Sequence, residues 1–270
     1  MDQPSQQASL HESTSLAEIY QQHMVPAIFA AWVPALVELL SLQRGHHVLD
    51  VACGTGLVAR HVTRQVGPEG RVVGLDVHPN MLAMARRMAP EIEWREGNAI
   101  ELPFSEQEFD AVVCQQGLQF FPNKPQALRE MHRILIPEGR LALALWCPID
   151  TSPGHHALAQ GLARHVSTDA ATLMYNVFGL GEAETISALL EEAGFREIHI
   201  RQEERMARFP SQDDFTKVMV MGSVLGRMGI KVSDDALKAL SDHVKAALQP
   251  YVHTDGLIFP MQAHLVRATK

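Results

Sequence analysis

The chain has few cysteines, no excess of basic residues and no long hydrophobic run. Three cysteines in 270 residues are an odd and sparse set, which excludes a disulfide scaffold. Cys53, Cys114 and Cys147 also lack the close pairs of a zinc site. No apolar run approaches the ~18 residues of a membrane span. The N-terminal residues have neither the basic nor the apolar region of a secretory signal, so we expect a cytoplasmic protein without a membrane span.

The charge balance bears on the class of partner. There are 23 Lys and Arg against 31 Asp and Glu, which gives a net charge of −8. An acidic chain without a local basic cluster repels the phosphate backbone of nucleic acids. The fourteen histidines include no His-x-x-x-His pair beside an acid, so no metal site is expected. We therefore expect a small-molecule partner and no nucleic acid.

The hydrophobic pattern predicts one α/β domain. Residues 1–13 are polar and are expected to form a disordered tail, which leaves 14–270 as a single domain. Between residues 46 and 146, short apolar runs alternate with helical spacing, a pattern typical of a parallel sheet with helices on both faces. Strands are predicted at 46–52, 71–77, 92–99, 109–116 and 140–146, and helices at 57–66, 79–88 and 124–135.

The pattern is looser at both ends of this region. Ser15 and Glu18 form a capping box that predicts a helix start, and Pro26 predicts the first turn of a second helix. Pro260 predicts an edge position or a bulge in the last strand. The elements predicted after residue 147 are one helix within 148–180, a helix at 182–193, a strand at 195–204, helices at 211–226 and 233–248, and a strand at 257–268.

A glycine-containing loop, Asp-Val-Ala-Cys-Gly-Thr-Gly at residues 50–56, lies between the first predicted strand and its helix. Small residues there let the backbone approach a ligand, and a helix N-terminus offers unpaired N–H groups. Asp76 ends the second strand, where a carboxylate can accept both hydroxyls of a ribose. The sequence therefore predicts a nucleoside-bearing cofactor at the switch point of the sheet.

Two cofactors fit this loop. Gly54-x-Gly56-x-x-Ala59 matches the dinucleotide fingerprint, which keeps an NAD(P)-dependent oxidoreductase as an alternative. A charged Asp50 would repel a pyrophosphate, whereas it suits the ammonium or sulfonium of S-adenosylmethionine. This argument favours the methyl donor. A non-catalytic cofactor-binding protein remains a third hypothesis.

Several segments together resemble the class I S-adenosylmethionine-dependent methyltransferases, and within them the quinone C-methyltransferase-like group of small-molecule enzymes. They are VLDVACGTG (48–56), GLDVHPNMLAMAR (74–86), GNAIELPF (97–104), the stretch 109–146 and LLEEAGF (189–195). The resemblance implies a doubly wound, Rossmann-like α/β fold with helical lid insertions. Its seven-stranded sheet has the order 3-2-1-4-5-7-6, with strand 7 antiparallel. It implies methyl transfer from S-adenosyl-L-methionine, with S-adenosyl-L-homocysteine as product, to a small organic acceptor whose reacting atom is open among C, O, N and S.

The same resemblance assigns cofactor-binding residues. Many relatives carry Asp where this chain has Asn98, but an amide can still accept and donate at the adenine edge. By this resemblance Asp50, Ala52, Gly54 and Gly56 hold the methionine end, Asp76 the ribose, Val77 and Met81 flank the adenine, Asn98 and Ala99 meet its edge, and Gln115 and Tyr20 contact the cofactor.

The remaining segments are expected to cover the substrate. Helices in 14–44 form an N-terminal lid, and segments 147–180 and 205–255 cap the acceptor, with methionines of 205–228 as candidates for an apolar wall. A general base is needed only if the acceptor loses a proton. Its candidates are Tyr20 and His23, which share a helix face, and His155 and His156, which follow the fifth strand near the edge where substrates bind.

Overall fold

A mostly parallel sheet organises the part of the chain that the computed structural model describes, residues 15–227, 229 and 232–270. Its strands are β1 (His47–Val51), β2 (Arg71–Asp76), β3 (Glu93–Glu96), β4 (Phe109–Gln115), β5 (Leu135–Trp146), β6 (Arg196–Phe209), β7 (Val252–His253) and β8 (Gly256–Thr269). The order is β3-β2-β1-β4-β5-β8-β6, and β7 pairs with β8. The long last strand, β8, is antiparallel to both β5 and β6. The predicted seven-stranded order is therefore confirmed, and the short β7 is an addition to it.

Helices lie on both faces of the sheet and bury two apolar cores. Alternation along β1 divides its side chains, so that Val48 enters one core and Leu49 the other. The α-helices are α1 (Leu16–Ile19), α2 (Val33–Glu38), α3 (Leu57–Val66), α4 (Pro79–Met88), α5 (Lys124–Ile134), α6 (Pro153–His165), α7 (Thr168–Asn176), α8 (Ala183–Glu192), α9 (Gln212–Gly222), α10 (Val224–Arg227) and α11 (Asp234–Leu248). Within the described ranges, no helix is both long and apolar enough to cross a membrane.

The N-terminal helical region is continuous, which corrects the prediction of a separate helix starting at Pro26. The capping box of Ser15 and Glu18 opens α1 as predicted. A π-helix (Tyr20–Phe29) and a 3₁₀ turn (Ala30–Trp32) then lead into α2. Pro26 lies inside the π-helix. Proline has no N–H to donate, and the wider turn accommodates it without breaking the helix. The expected tail, residues 1–13, lies outside the described residues.

Two helices predicted after Trp146 are divided in the structure. The helix predicted at 211–226 is interrupted at Ser223, which separates α9 from α10. The stretch 148–180 holds two α-helices instead of one, because the Ser167 hydroxyl accepts the Ala170 N–H and starts α7. Pro260 pairs with Met206 of β6, whereas β5 reaches β8 only from Ala263 onward. Pro260 thus lies where β8 extends past β5, so its edge position is confirmed.

Candidate functional site

A cavity of about 510 Å³ opens at the carboxyl ends of the parallel strands. This volume falls in the usual range for small-ligand sites. The carboxyl ends of β1 to β5, or the residues shortly after them, all contribute to its wall, and these residues include Gly54, Asp76, Asn98, Gln115 and Trp146. The cavity therefore lies at the carboxyl ends of β1 and β4, between which the order of the strands in the sheet reverses. This is the ligand position typical of open α/β folds.

Most of the residues predicted to bind the cofactor meet at this cavity. The lining includes Tyr20, Ala52, Gly54, Asp76, Val77, Met81, Asn98, Ala99 and Gln115. Asp50 and Gly56 are not among the described residues that line it. The predicted residues therefore form two groups. Most lie in the cavity wall, and Asp50 and Gly56 lie outside it, where they support the glycine loop.

Asp76 links the ends of β1 and β2. Its Oδ2 accepts the backbone N–H of Gly54, and its Oδ1 accepts that of His78, both at 2.8 Å. The residue is only 6% exposed, and Gly54 has a positive φ of 54°, where a glycine is least strained. A carboxylate has about four lone-pair directions, so two of them remain for a ligand.

Asp50 lies behind the loop on the α3 side of the sheet. Its Oδ2 accepts the N–H of Ala59 at 2.9 Å. Burial raises the pKa of Asp50 to about 8, opposed by the hydrogen bond from Ala59 and assisted by the charge of Asp76. Burial therefore favours the protonated form of this carboxyl group in the ligand-free protein. The sequence pattern predicts a charged Asp50, and the structure differs because burial disfavours the ionised form.

Gly56 permits close packing behind the loop. It caps α3 with a left-handed backbone, φ 77°, and a Cβ at this position would overlap the indole of Trp94. Gly74 of β2 meets the same ring. The second glycine of the loop thus gives the turn its shape and makes room for Trp94.

The N-terminal helices are tied to the loop and to β4. Thr55 Oγ1 donates to Gln21 Oε1 at 2.6 Å, and Gln115 Nε2 donates to the carbonyl oxygen of Phe29 at 2.9 Å. The Tyr20 ring packs against Phe29 with 5.3 Å between centroids and lies close to Gly54. Gln115 lines the cavity, and its Oε1 is buried without a hydrogen-bond partner.

The four candidates for a general base separate in the structure. Tyr20 and His155 line the cavity, whereas His23 and His156 are not among its described lining residues. His155 is buried, its Nδ1 lies 2.8 Å from Ser152 Oγ, and burial lowers its pKa to about 3. It is therefore neutral at physiological pH and a weak base. No group of three or more His, Cys, Asp or Glu side chains in the described ranges could hold a metal ion.

The cavity wall has an apolar and aromatic part, which includes Met24, Ile28, Phe29, Trp146, Met174, Val177 and Met219. Apart from Met219, these residues were not predicted from the sequence. Met219 belongs to the methionines of 205–228 that were expected there. Two buried amides, Gln116 and Gln119, interrupt the apolar surface. Their signal in the sequence is the group of three glutamines at positions 115, 116 and 119, at and after the end of a buried strand, because glutamine is rarely fully buried.

Sequence comparisons relate the chain to methyltransferases. Residues 49–143 match the family described as a methyltransferase domain. The 2-phytyl-1,4-naphtoquinone methyltransferase of Thermosynechococcus vestitus is 36% identical over 183 residues, which is 62% of this chain and 80% of that protein. The demethylmenaquinone methyltransferase of Listeria welshimeri is 40% identical over 144 residues, 50% of this chain and 59% of that protein.

Solved structures share the fold at low sequence identity. The YcgJ protein of Bacillus subtilis has a TM-score of 0.60 and 18% identity, and covers 89% of this chain and 98% of its own. The phosphoethanolamine N-methyltransferase 2 of Haemonchus contortus, in complex with S-adenosyl-L-methionine, has a TM-score of 0.55 and 17% identity, and covers 96% of this chain and 60% of its own. At such low sequence identity, the structural similarity shows that the fold is shared.

Proposed function

This chain belongs to the class I S-adenosylmethionine-dependent methyltransferases of the quinone type, and from that premise we propose where the donor and the acceptor bind. The protein transfers a methyl group from S-adenosylmethionine to a small molecule. The donor occupies the end of the cavity above the glycine loop. An aromatic, quinone-type acceptor occupies the apolar end. Nucleic acid is not the acceptor, because the net charge of −8 opposes a phosphate backbone.

The polar groups of the glycine-loop end fit the donor. The free lone pairs of Asp76 accept the two ribose hydroxyls, and the unpaired Gln115 Oε1 accepts from the ammonium of the methionine portion. Asn98 and Ala99 meet the adenine edge, and Tyr20 covers the donor from the N-terminal helix. Asp50 holds α3 against the loop through Ala59. The charge of a bound sulfonium would favour the ionised form of Asp50.

The apolar end fits a flat, hydrophobic acceptor. Phe29 and Trp146 present rings whose centroids lie 6.1 Å apart, and Met219 adds a flexible apolar surface. The names of two sequence relatives specify a phytyl-naphthoquinone and a demethylmenaquinone as what they methylate. An aromatic acceptor of this kind buries its ring at low cost in such a wall.

Three segments cap the cavity in this proposal. The N-terminal segment 14–44 contributes Tyr20, segment 147–180 contributes His155, and segment 205–255 contributes Met219. They exclude water and align the acceptor. S-adenosylmethionine supplies a methyl group on a sulfonium sulfur, already activated for in-line displacement. Alignment and exclusion of water are then the main tasks of the protein, which agrees with a His155 that burial keeps neutral.

One observation supports this proposal above the others: a single cavity joins Asp76 at the end of β2 to Trp146 at the end of β5. The test incubates purified protein with methyl-labelled S-adenosylmethionine and a panel of phenols, reduced naphthoquinones, amines and thiols. We expect label in the phenols or reduced naphthoquinones. Label confined to amines or thiols would overturn the acceptor assignment. Oxidation of an alcohol with NAD, and no label transfer, would restore the oxidoreductase hypothesis, which the sequence relatives do not favour.

A further inference from the structure

Two glutamine side chains form a buried amide pair at the acceptor end of the cavity. Gln116 is 7% and Gln119 is 8% exposed, and both line the cavity. The backbone N–H of Trp146 donates to Gln116 Oε1, and Gln119 Nε2 donates to the same oxygen, each at 3.2 Å. The pair is therefore anchored to the end of β5.

This anchoring fixes which amide atom is nitrogen and which is oxygen. A backbone N–H can only donate, so the atom that accepts from Trp146 must be the oxygen of Gln116. The Gln119 atom that binds this oxygen must then be its nitrogen. Gln116 Nε2 and Gln119 Oε1 remain, and both are buried without a partner. Buried polar groups are normally satisfied, and both residues line the cavity, so a ligand bound there would supply the missing partners.

The position of the pair in the sheet separates it from the donor site. Gln116 directly follows β4, and Gln119 lies in the 3₁₀ turn Leu118–Phe120, which comes next in the sequence. Asp76 ends β2, which lies two strands away across β1. With neighbouring strands about 4.8 Å apart, the ends of β2 and β4 are roughly 10 Å apart. The pair thus belongs to the part of the cavity wall that contains Trp146, and its two unpaired amide atoms are buried there, so contact with an acceptor requires a small shift of the side chains.

We infer that Gln116 and Gln119 together bind a hydroxyl group of the methyl acceptor. Gln116 Nε2 donates to the hydroxyl oxygen, and Gln119 Oε1 accepts the hydroxyl proton. A hydroxyl both accepts and donates, so it satisfies the two free amide atoms at once. A carbonyl or an ether leaves Gln119 Oε1 unpaired, and an ammonium leaves Gln116 Nε2 unpaired. The pair therefore selects an aromatic acceptor that carries a hydroxyl and positions its ring beside Trp146.

This inference rests on the proposed function, and the test separates the two. Protein saturated with S-adenosylhomocysteine is titrated with 1-naphthol, 1-methoxynaphthalene and 1-methylnaphthalene, with calorimetry as the readout. We expect 1-naphthol to bind about tenfold more tightly than either of the others, which corresponds to the net gain of one buried hydrogen-bonding group. The comparison of probes on the native protein needs no variant and does not depend on the folding of one.

The variant Gln119→Met then assigns the preference to the pair. It keeps the length of the side chain and removes the accepting oxygen, so 1-naphthol and 1-methoxynaphthalene should bind it equally. Gln202→Met makes the same change on the exposed side of β6, where Gln202 Nε2 donates to Gln262 Oε1, and should keep the tenfold preference. The affinity for S-adenosylhomocysteine should be unchanged in both variants.

The possible results distinguish an error in the proposed donor site from an error in the role given to the amide pair. If S-adenosylhomocysteine does not bind the native protein, the proposed donor site is wrong and the inference falls with it. If it binds but the three probes bind equally, or none binds, the proposed donor site stands and the amide-pair inference is overturned. Retention of the preference in Gln119→Met overturns it as well.

Discussion

The carboxylate of Asp76 accepts the backbone N–H of Gly54 at 2.8 Å. This bond joins the acid at the end of β2 to the glycine loop after β1, and the two residues are 22 positions apart in the sequence. The second oxygen of Asp76 holds the N–H of His78 at 2.8 Å. The geometry of the loop and the orientation of the acid therefore depend on each other.

Replacing Asp76 by Asn should weaken binding of S-adenosylhomocysteine by about ten- to a hundredfold. The amide keeps one accepting oxygen, but it loses the charge that strengthens hydrogen bonds to the ribose, each worth roughly 1.5–3 kcal/mol. Isothermal titration calorimetry of native protein and variant measures the change.

Asp110→Asn is the matched control for Asp76→Asn. Asp110 Oδ2 accepts the backbone N–H of His47 at 2.7 Å, a carboxylate–backbone bond of the same kind at the opposite end of the parallel strands. Affinity for S-adenosylhomocysteine should be unaffected in this variant. An Asp76→Asn protein that binds as tightly as the native protein would show that the ribose lies elsewhere.

Gly56→Ala should destabilise the fold more than Gly45→Ala. Both glycines have a positive φ, 77° and 87°, so an alanine at either position carries a similar backbone strain. At Gly56 the added Cβ also overlaps Trp94, whereas at Gly45 it meets nothing within 4 Å. Such overpacking typically costs a further 1–3 kcal/mol or so. Urea unfolding of the two variants compares them, and equal losses of stability would contradict the packing role of Gly56.

The helices and strands of the parallel core were predictable because glycine and proline residues in the sequence mark where they end and begin. Gly67 ends α3 and Pro79 begins α4, and both helices have the predicted bounds. The break between α6 and α7 was missed because it depends on the Ser167 hydroxyl, with neither glycine nor proline at the boundary. Serine also occurs inside helices and strands, so its type alone does not mark a helix start.

The candidate site was only partly predictable because burial is a tertiary property. The loop and Asp76 follow from the spacing of residues along the chain, and both reach the cavity. The pKa of Asp50 follows from its burial behind the loop, which spacing does not reveal. The role of Gln116 and Gln119 could not be predicted because it depends on a contact with Trp146, which lies at the end of β5 and is distant in the sequence.

Stability of the ligand-free protein should carry a pH dependence from Asp50. The unfolded chain releases this proton near the ordinary pKa of 3.8, whereas the folded chain keeps it to about 8. The folded chain holds one more proton than the unfolded chain between these two pKa values. The free energy of unfolding is therefore highest, as far as Asp50 is concerned, below about pH 4, and it falls as the pH rises to about 8. Urea unfolding across this range should show native stability falling relative to Asp50→Asn, whose amide still accepts from Ala59. A constant difference between the two proteins would contradict a protonated Asp50.

The end of the N-terminal helical region belongs to the core. Trp32 is 1% exposed and packs edge-on against Trp146 with 5.6 Å between centroids. Trp32→Ala should therefore lower the free energy of unfolding by about 3–5 kcal/mol. Tyr175→Ala removes an aromatic ring that is 41% exposed and should cost less than about 1 kcal/mol. A small effect at Trp32 would mean that the region is a detachable lid along its whole length.

Calorimetric titration of the native protein with S-adenosylhomocysteine and, separately, with NAD tests the central claim most directly. The cavity that joins Gly54, Asp76 and Gln115 is predicted to bind one S-adenosylhomocysteine per chain and to give no heat with NAD under the same conditions. Tight binding of NAD with no response to S-adenosylhomocysteine would contradict the account.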